Sequence, residues 1–177
     1  MALIKVSGGS VIEKVGGHCD GRTITFQQGS STLENVTTVI NFSTNYVDFS
    51  GSAISYQPPS AAKSVIYEFT ALHSHVDQHN LHHIRFYIDS DEVTEARTTE
   101  SGGYEGSQVT WRWEIPIGGV ANTATGRLAS WTSQKILKLQ IREYGSNNEG
   151  KVHQTFWFDA AASSQFHRPS VTVTALS

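Results

Sequence analysis

Ser64-Val-Ile-Tyr-Glu-Phe-Thr-Ala-Leu72 decides the fold. In an extended chain Val65, Tyr67, Phe69 and Ala71 fall on one face, with Ile66, Glu68, Thr70 and Leu72 on the other. A period of two with β-branched and aromatic residues reads as a strand, and this is among the clearest such runs. The same period recurs on both sides of it. Residues 81–89 turn Ile84, Phe86 and Ile88 inward, and Asp89-Ser-Asp-Glu92 is expected as a tight turn into a hairpin partner at 93–97. Residues 108–115 put Val109, Trp111, Trp113 and Ile115 on one face. Leu137, Leu139 and Ile141 line one face of 136–144, Val152, Phe156 and Phe158 one face of 152–158, and 170–176 forms a last strand. Upstream, shorter runs lie at 2–6, 22–27, 36–49, which reads as two strands or a bent one, and 52–57, which is stopped by Pro58-Pro59.

No window carries apolar residues at helical spacing between caps. About eight to ten strands without helices imply an all-β chain: an antiparallel β-sandwich of jelly-roll type. The 177 residues suit one domain. Residues 1–20, with their paired glycines, are expected as a short N-terminal arm or attachment segment, and 21–177 as the sandwich. Ile66, Leu72 and Trp157 place apolar bulk on second faces, which a sheet with one wet side does not need. Either a loop or a sister subunit covers them; the subunit is the favoured cover, which makes these three residues an expected oligomer interface.

Composition narrows the function. A net charge of −3 argues against a general nucleic-acid binder. No apolar run of membrane-spanning length exists, so no membrane partner is expected. The opening residues lack a basic-then-apolar leader, so synthesis in a cytosol is expected. Cys19 is the lone cysteine and reads as a free, buried or loop thiol.

Chemistry-bearing patterns are few. Five of the eight histidines crowd into His73-Ser-His-Val-Asp-Gln-His-Asn-Leu-His-His83. His73 and His75 share a strand face at ligand spacing, with His79 beyond, so a metal at a subunit axis or a cupin-like centre is one reading. The cupin glycine is missing, Tyr67 standing in its place, and no later Pro-x-Gly-x-x-His motif follows. His82 and His83, adjacent on a strand, face opposite sides. A polar, exposed connection is therefore expected, with no resident cofactor. Gly145-Ser-Asn-Asn-Glu-Gly-Lys151 matches a phosphate loop in part, but Val152 replaces the hydroxyl residue and a strand follows, so a hairpin loop is expected. No nucleophile elbow or carboxylate pair nominates a catalytic residue, so no enzyme is expected. Trp111 and Trp113 belong to the core, whereas Tyr104 and Trp131 are the candidates for exposed, ligand-binding aromatics.

Several segments bear a family resemblance. Ser52-Ala-Ile-Ser-Tyr-Gln-Pro-Pro59 followed by Ser64-Val-Ile-Tyr-Glu-Phe69 resembles β-sandwich virion structural proteins of tailed phages, notably those of marine cyanobacteria. Phe86-Tyr-Ile-Asp-Ser-Asp-Glu-Val93, Trp131-Thr-Ser-Gln-Lys-Ile-Leu137, Ile141-Arg-Glu-Tyr144 and Lys151-Val-His-Gln-Thr-Phe-Trp157 continue it. The resemblance implies a surface protein of the virion, made in the host cytoplasm. It implies a homotrimer whose partners are the major capsid protein or tail proteins. Head decoration, as a cement or knob protein, is the leading expectation. A tail-fibre domain that grips host glycan is the alternative, and a cupin-like metalloprotein using His73 and His75 is a third. The first 50 residues carry no part of the resemblance.

Overall fold

The computed structural model describes residues 9–41, 43–75, 81–101, 106–145, 150–155, 159 and 165–177, with the side chain of His75 excepted. Two antiparallel sheets stack face to face. In the first, β1 (Val11–His18) lies beside β15 (Ser170–Leu176), which lies beside β7 (Ser64–His75) and then β10 (Ser107–Pro116). In the second, β9 (Asp91–Ser101) pairs with β8 (Leu81–Ile88) and β8 with β11 (Lys135–Glu143). The far edge of β11 takes two short strands, β6 (Ile54–Tyr56) at residues 135–137 and β5 (Val47–Asp48) at 140–141.

Long strands alternate between the layers: β7 in the first, β8 and β9 in the second, β10 back, β11 across, β15 back. The last strand lands between the first and the seventh. This winding is a jelly roll, as expected from the strand count and spacing.

Because β7 is twelve residues long, one edge serves two partners. It pairs with β15 over residues 64–70 and with β12 (Gly150–Val152) over 73–75, β12 in turn carrying β4 (Ile40–Asn41). A hairpin of β2 (Thr23–Phe26) and β3 (Gly29–Thr32) closes one end of the sandwich, where the Phe26 ring meets Tyr56 edge-on at 5.1 Å.

The inward residues are those the alternation nominates. Val65, Tyr67, Phe69 and Ala71 meet Ile84, Phe86, Ile88, Leu137, Leu139 and Ile141 across the interlayer space. Aromatic edges interlock there: Tyr67 with Phe86 at 5.1 Å, Phe86 with Trp111 at 4.9 Å and Phe49 with Phe69 at 4.9 Å. Tyr67 Oη, wholly buried, donates to the Ser52 carbonyl at 2.6 Å. That bond ties the 50–53 bend to the sheet and leaves no orphan hydroxyl.

The 36–49 run supplies two short strands, β4 and β5, one on each sheet. Two expectations change. The boundary near residue 20 does not mark where the sheet begins, because Val11–His18 is a strand paired with β15 along its length. Backbone groups that close to a sheet edge are satisfied by joining it. The 152–158 strand stops at Val152 and restarts as β13 (Gln154–Thr155), paired with β14 (Gln165–Phe166). His153 breaks it by adopting the left-handed conformation, with φ of 67°. The expected strand at 2–6, the loop at 76–80 and Trp157 lie outside the described residues.

Candidate functional site

Strand parity places polar residues at the same end of three framework strands. The inward series of β7 ends at His73, that of β8 begins at His82, and that of β11 ends at Glu143. His82 and Glu143 face each other across the β8–β11 ladder, and the His73 and His82 rings stand 5.1 Å apart. Glu143 Oε1 accepts the Gly150 N–H at 2.8 Å. The interior is thus closed at this end by a buried polar layer rather than by aliphatic side chains.

The exposed-connection reading fails for His73 and His82, which are 4% and 0% exposed. The strand simply runs further than its apolar stretch, to His75, and carries His73 into the core. Burial depresses the His73 pKa to about 4, so its imidazole is neutral at pH 7. His83 points outward, as parity requires, with Nδ1 3.0 Å from Thr99 Oγ1. Among the described residues no three His, Cys, Asp or Glu side chains are grouped to hold a metal ion. His79 and the side chain of His75 lie outside the described residues.

The phosphate-loop fragment has the opposite polarity to an anion site. The amide of Gly150, which such a loop would offer to phosphate, already serves a carboxylate. Lys151 sits in β12, opposite Ser74 and Asn41.

A second buried imidazole lies nearby. The backbone N–H of His153 donates to Leu72 O at 2.7 Å, and its Nε2 lies 3.1 Å from Ser50 O. A carbonyl only accepts, so Nε2 carries the proton and Nδ1 is bare. Burial depresses this pKa too, to about 4. The buried thiol of Cys19 donates to Gly51 O at 3.1 Å. Burial, aided by the charges of Glu34 and Asp20, pushes it up to about 12, which makes it a poor nucleophile.

Trp131 was expected to be exposed and is only 5% so. Its ring meets Tyr56 edge-on at 6.1 Å, because the segment before β11 folds back over β6. It nevertheless lines a cleft of about 350 Å³ shared with Gln28, Pro58, Pro59, Ser60 and Lys63. Gln57 Nε2 donates to Thr132 O at 3.1 Å and fixes one wall. The proline pair ends β6 and also shapes this cleft, a second role its strand-stopping chemistry did not signal. Tyr104 lies outside the described residues.

Sequence reasoning passed over the outer face of the second sheet. Arg85 and Arg142 project there, and the Arg85 guanidinium carbon sits 3.7 Å from the centroid of Tyr46. The signal was available: the outward positions of the two strands include His83, Arg85, Lys138 and Arg142.

Fold and site together define an antiparallel jelly-roll sandwich with a polar-capped core and an open cleft. No protein-family model and no curated protein matches the chain. Among solved structures it is similar to a chain in the structure of the infectious bursal disease virus Gx strain, at 10% identity and TM-score 0.38, covering 94% of this chain and 37% of that one. A chain from the Gt strain of the same virus gives 12% and 0.35, with 88% and 38% covered. A mutant VP2 protein of that virus, in derived T=1 particles, gives 11% and 0.30, with 88% and 41% covered. The chain therefore spans well under half the length of each. The fold assignment rests on the strand order itself.

Proposed function

We propose that this chain is a non-enzymatic structural protein on the exterior of a tailed-phage virion, a head-decoration trimer that docks on the major capsid protein. The outer face of the first sheet carries the reading. On β7 it presents Ile66, Glu68, Thr70 and Leu72, all half-buried. Around them lie Gly16 of β1, Ser170, Thr172 and Thr174 of β15, and Thr110 of β10. Glu68 is set against Arg112, and Ile66 sits between Glu114 and Thr174. Small side chains and balanced charge make a flat face that another sheet surface can approach closely. The segments that resemble phage virion proteins lie largely on the framework strands and their turns, so the resemblance concerns the sandwich itself.

Light scattering at micromolar concentration tests it. A particle three times the 19.4 kDa chain is expected. Ile66→Glu should give folded monomer, because Ile66 points away from the core. A wild-type monomer at every concentration overturns the trimer, and a trimer untouched by Ile66→Glu overturns the face that carries the reading. Gold-labelled antibody on whole particles then separates head from tail.

A second reading, a glycan-gripping tail-fibre domain, draws on the cleft beside Trp131. Its amide and hydroxyl walls, one aromatic and Lys63 are a composition that suits sugars. Lys63→Ala, exposed and harmless to the core, should abolish binding on a host-glycan array; an array with no wild-type signal removes this reading.

A further inference from the structure

The outer face of the second sheet holds an arrangement that the proposed structural role does not require. Arg142 stands directly across from His83 on the β11–β8 ladder, and Arg85 across from Gln140. The two guanidinium groups converge on one ring: Arg85 at 3.7 Å and Arg142 at 5.3 Å from the Tyr46 centroid. Like charges gathered round one ring repel, and an anion placed beside them would relieve that repulsion.

The neighbouring carboxylates do not fill that place. Glu92 lies 3.5 Å from Arg85 and 2.6 Å from Arg97, so it is shared by two cations. Asp48 is held by Lys138 at 2.9 Å and by Gln140 at 3.0 Å. Arg142 has no ion-pair partner among the described residues; it packs on Tyr46 and donates through Nη1 to the Thr44 carbonyl at 3.4 Å. Its buried Nε has no hydrogen-bond partner there. Around the ring four cations, Arg85, Arg97, Arg142 and Lys138, stand against two carboxylates, Glu92 and Asp48, on a chain whose net charge is −3. His83 feels the field: burial first, then Arg142 and Arg85, lower its pKa. Beside it the Tyr144 ring, 62% exposed, lies 5.7 Å from the His83 ring.

We propose that Arg142, supported by Arg85 and His83 and flanked by Tyr144, binds a carboxylate-bearing sugar unit. A guanidinium matches a carboxylate with two parallel N–H donors, and Tyr46 holds it in place before the ligand arrives. The open face of Tyr144 offers a stacking surface for the apolar side of a sugar ring. The site is separate from the Trp131 cleft and stands whether or not the chain forms trimers on a particle.

The test titrates the full chain with trigalacturonate, neutral galactotriose and sodium sulfate, followed by backbone and tyrosine NMR shifts. Saturable binding of trigalacturonate alone is expected, with shifts centred on Arg142, His83 and Tyr144. Arg142→Gln should weaken it by about tenfold or more. Tyr144→Ala, at an exposed position, should weaken it with folding intact. Equal response to sulfate, equal response to galactotriose, or full affinity in both folded variants overturns the site. Lys63→Ala leaves this binding unchanged, which separates its failure from that of the cleft.

Discussion

At the scale of single residues the main controls are imidazoles deprived of water. Burial holds His73 and His153 neutral, with pKa values of about 4 against an ordinary 6.5. Below pH 6.5 the unfolded chain takes up protons that the fold refuses. Stability is therefore complete above about pH 6.5 and falls as the pH drops towards 4, by up to about 1.4 kcal/mol per unit for each histidine. Urea unfolding at pH 7 and pH 4.5 should show a loss of about 5 kcal/mol from the two imidazoles together. His153→Gln keeps a donor for Ser50 O and should remove about half of that loss. Equal stability at both pH values contradicts the buried, neutral assignment.

At the scale of elements, a strand's face was legible and its end was not. The alternation in 64–72 placed Val65, Tyr67, Phe69 and Ala71 inward correctly, because pleat geometry leaves only two faces. It did not show that β7 runs on to His75, because histidine lacks the apolar signature by which a buried position is recognised. Pairing with β12 on one edge and with β10 on the other extends the strand. The β8–β9 turn was legible for a chemical reason. Asp89 adopts φ of 56°, Oδ1 accepts the Ile136 N–H at 2.8 Å, and Oδ2 meets Lys135 Nζ at 2.8 Å. Asp89→Ala should cost about 2 kcal/mol, from the left-handed backbone and from the unsatisfied amide. Asp89→Gly recovers the backbone part and should cost about half as much. Urea midpoints of the two variants decide the matter, and a glycine variant less stable than the alanine one refutes the backbone argument.

At the scale of the whole molecule, topology governs folding. β1 pairs with β15, so sheet closure joins segments from opposite ends of the sequence, and the Ser177 N–H meets Ser10 O at 3.0 Å. Such pairings require large loops to close first, and refolding within about milliseconds to seconds is expected. Joining residue 177 to residue 10 by a short loop, and opening the chain at Val120, turns this pair into a hairpin. Val120 is 88% exposed, so the new ends disturb no packing. Stopped-flow refolding of that permutant should be several-fold faster at similar stability. An unchanged rate means that β1 docks after the barrier.

The sequence alone determined the fold class, the inward faces of the framework strands, the core tryptophans Trp111 and Trp113, and the Asp89 turn. Each follows from a local rule: a period of two, a β-branched or aromatic run, a residue that tolerates a left-handed backbone. Only the tertiary structure decided that His73, His82 and Glu143 close the core, that Trp131 lines a cleft, and that Arg85 and Arg142 share Tyr46. Those groups come from segments far apart in the chain. Their burial and charge depend on which strands become neighbours, and no local pattern carries that information.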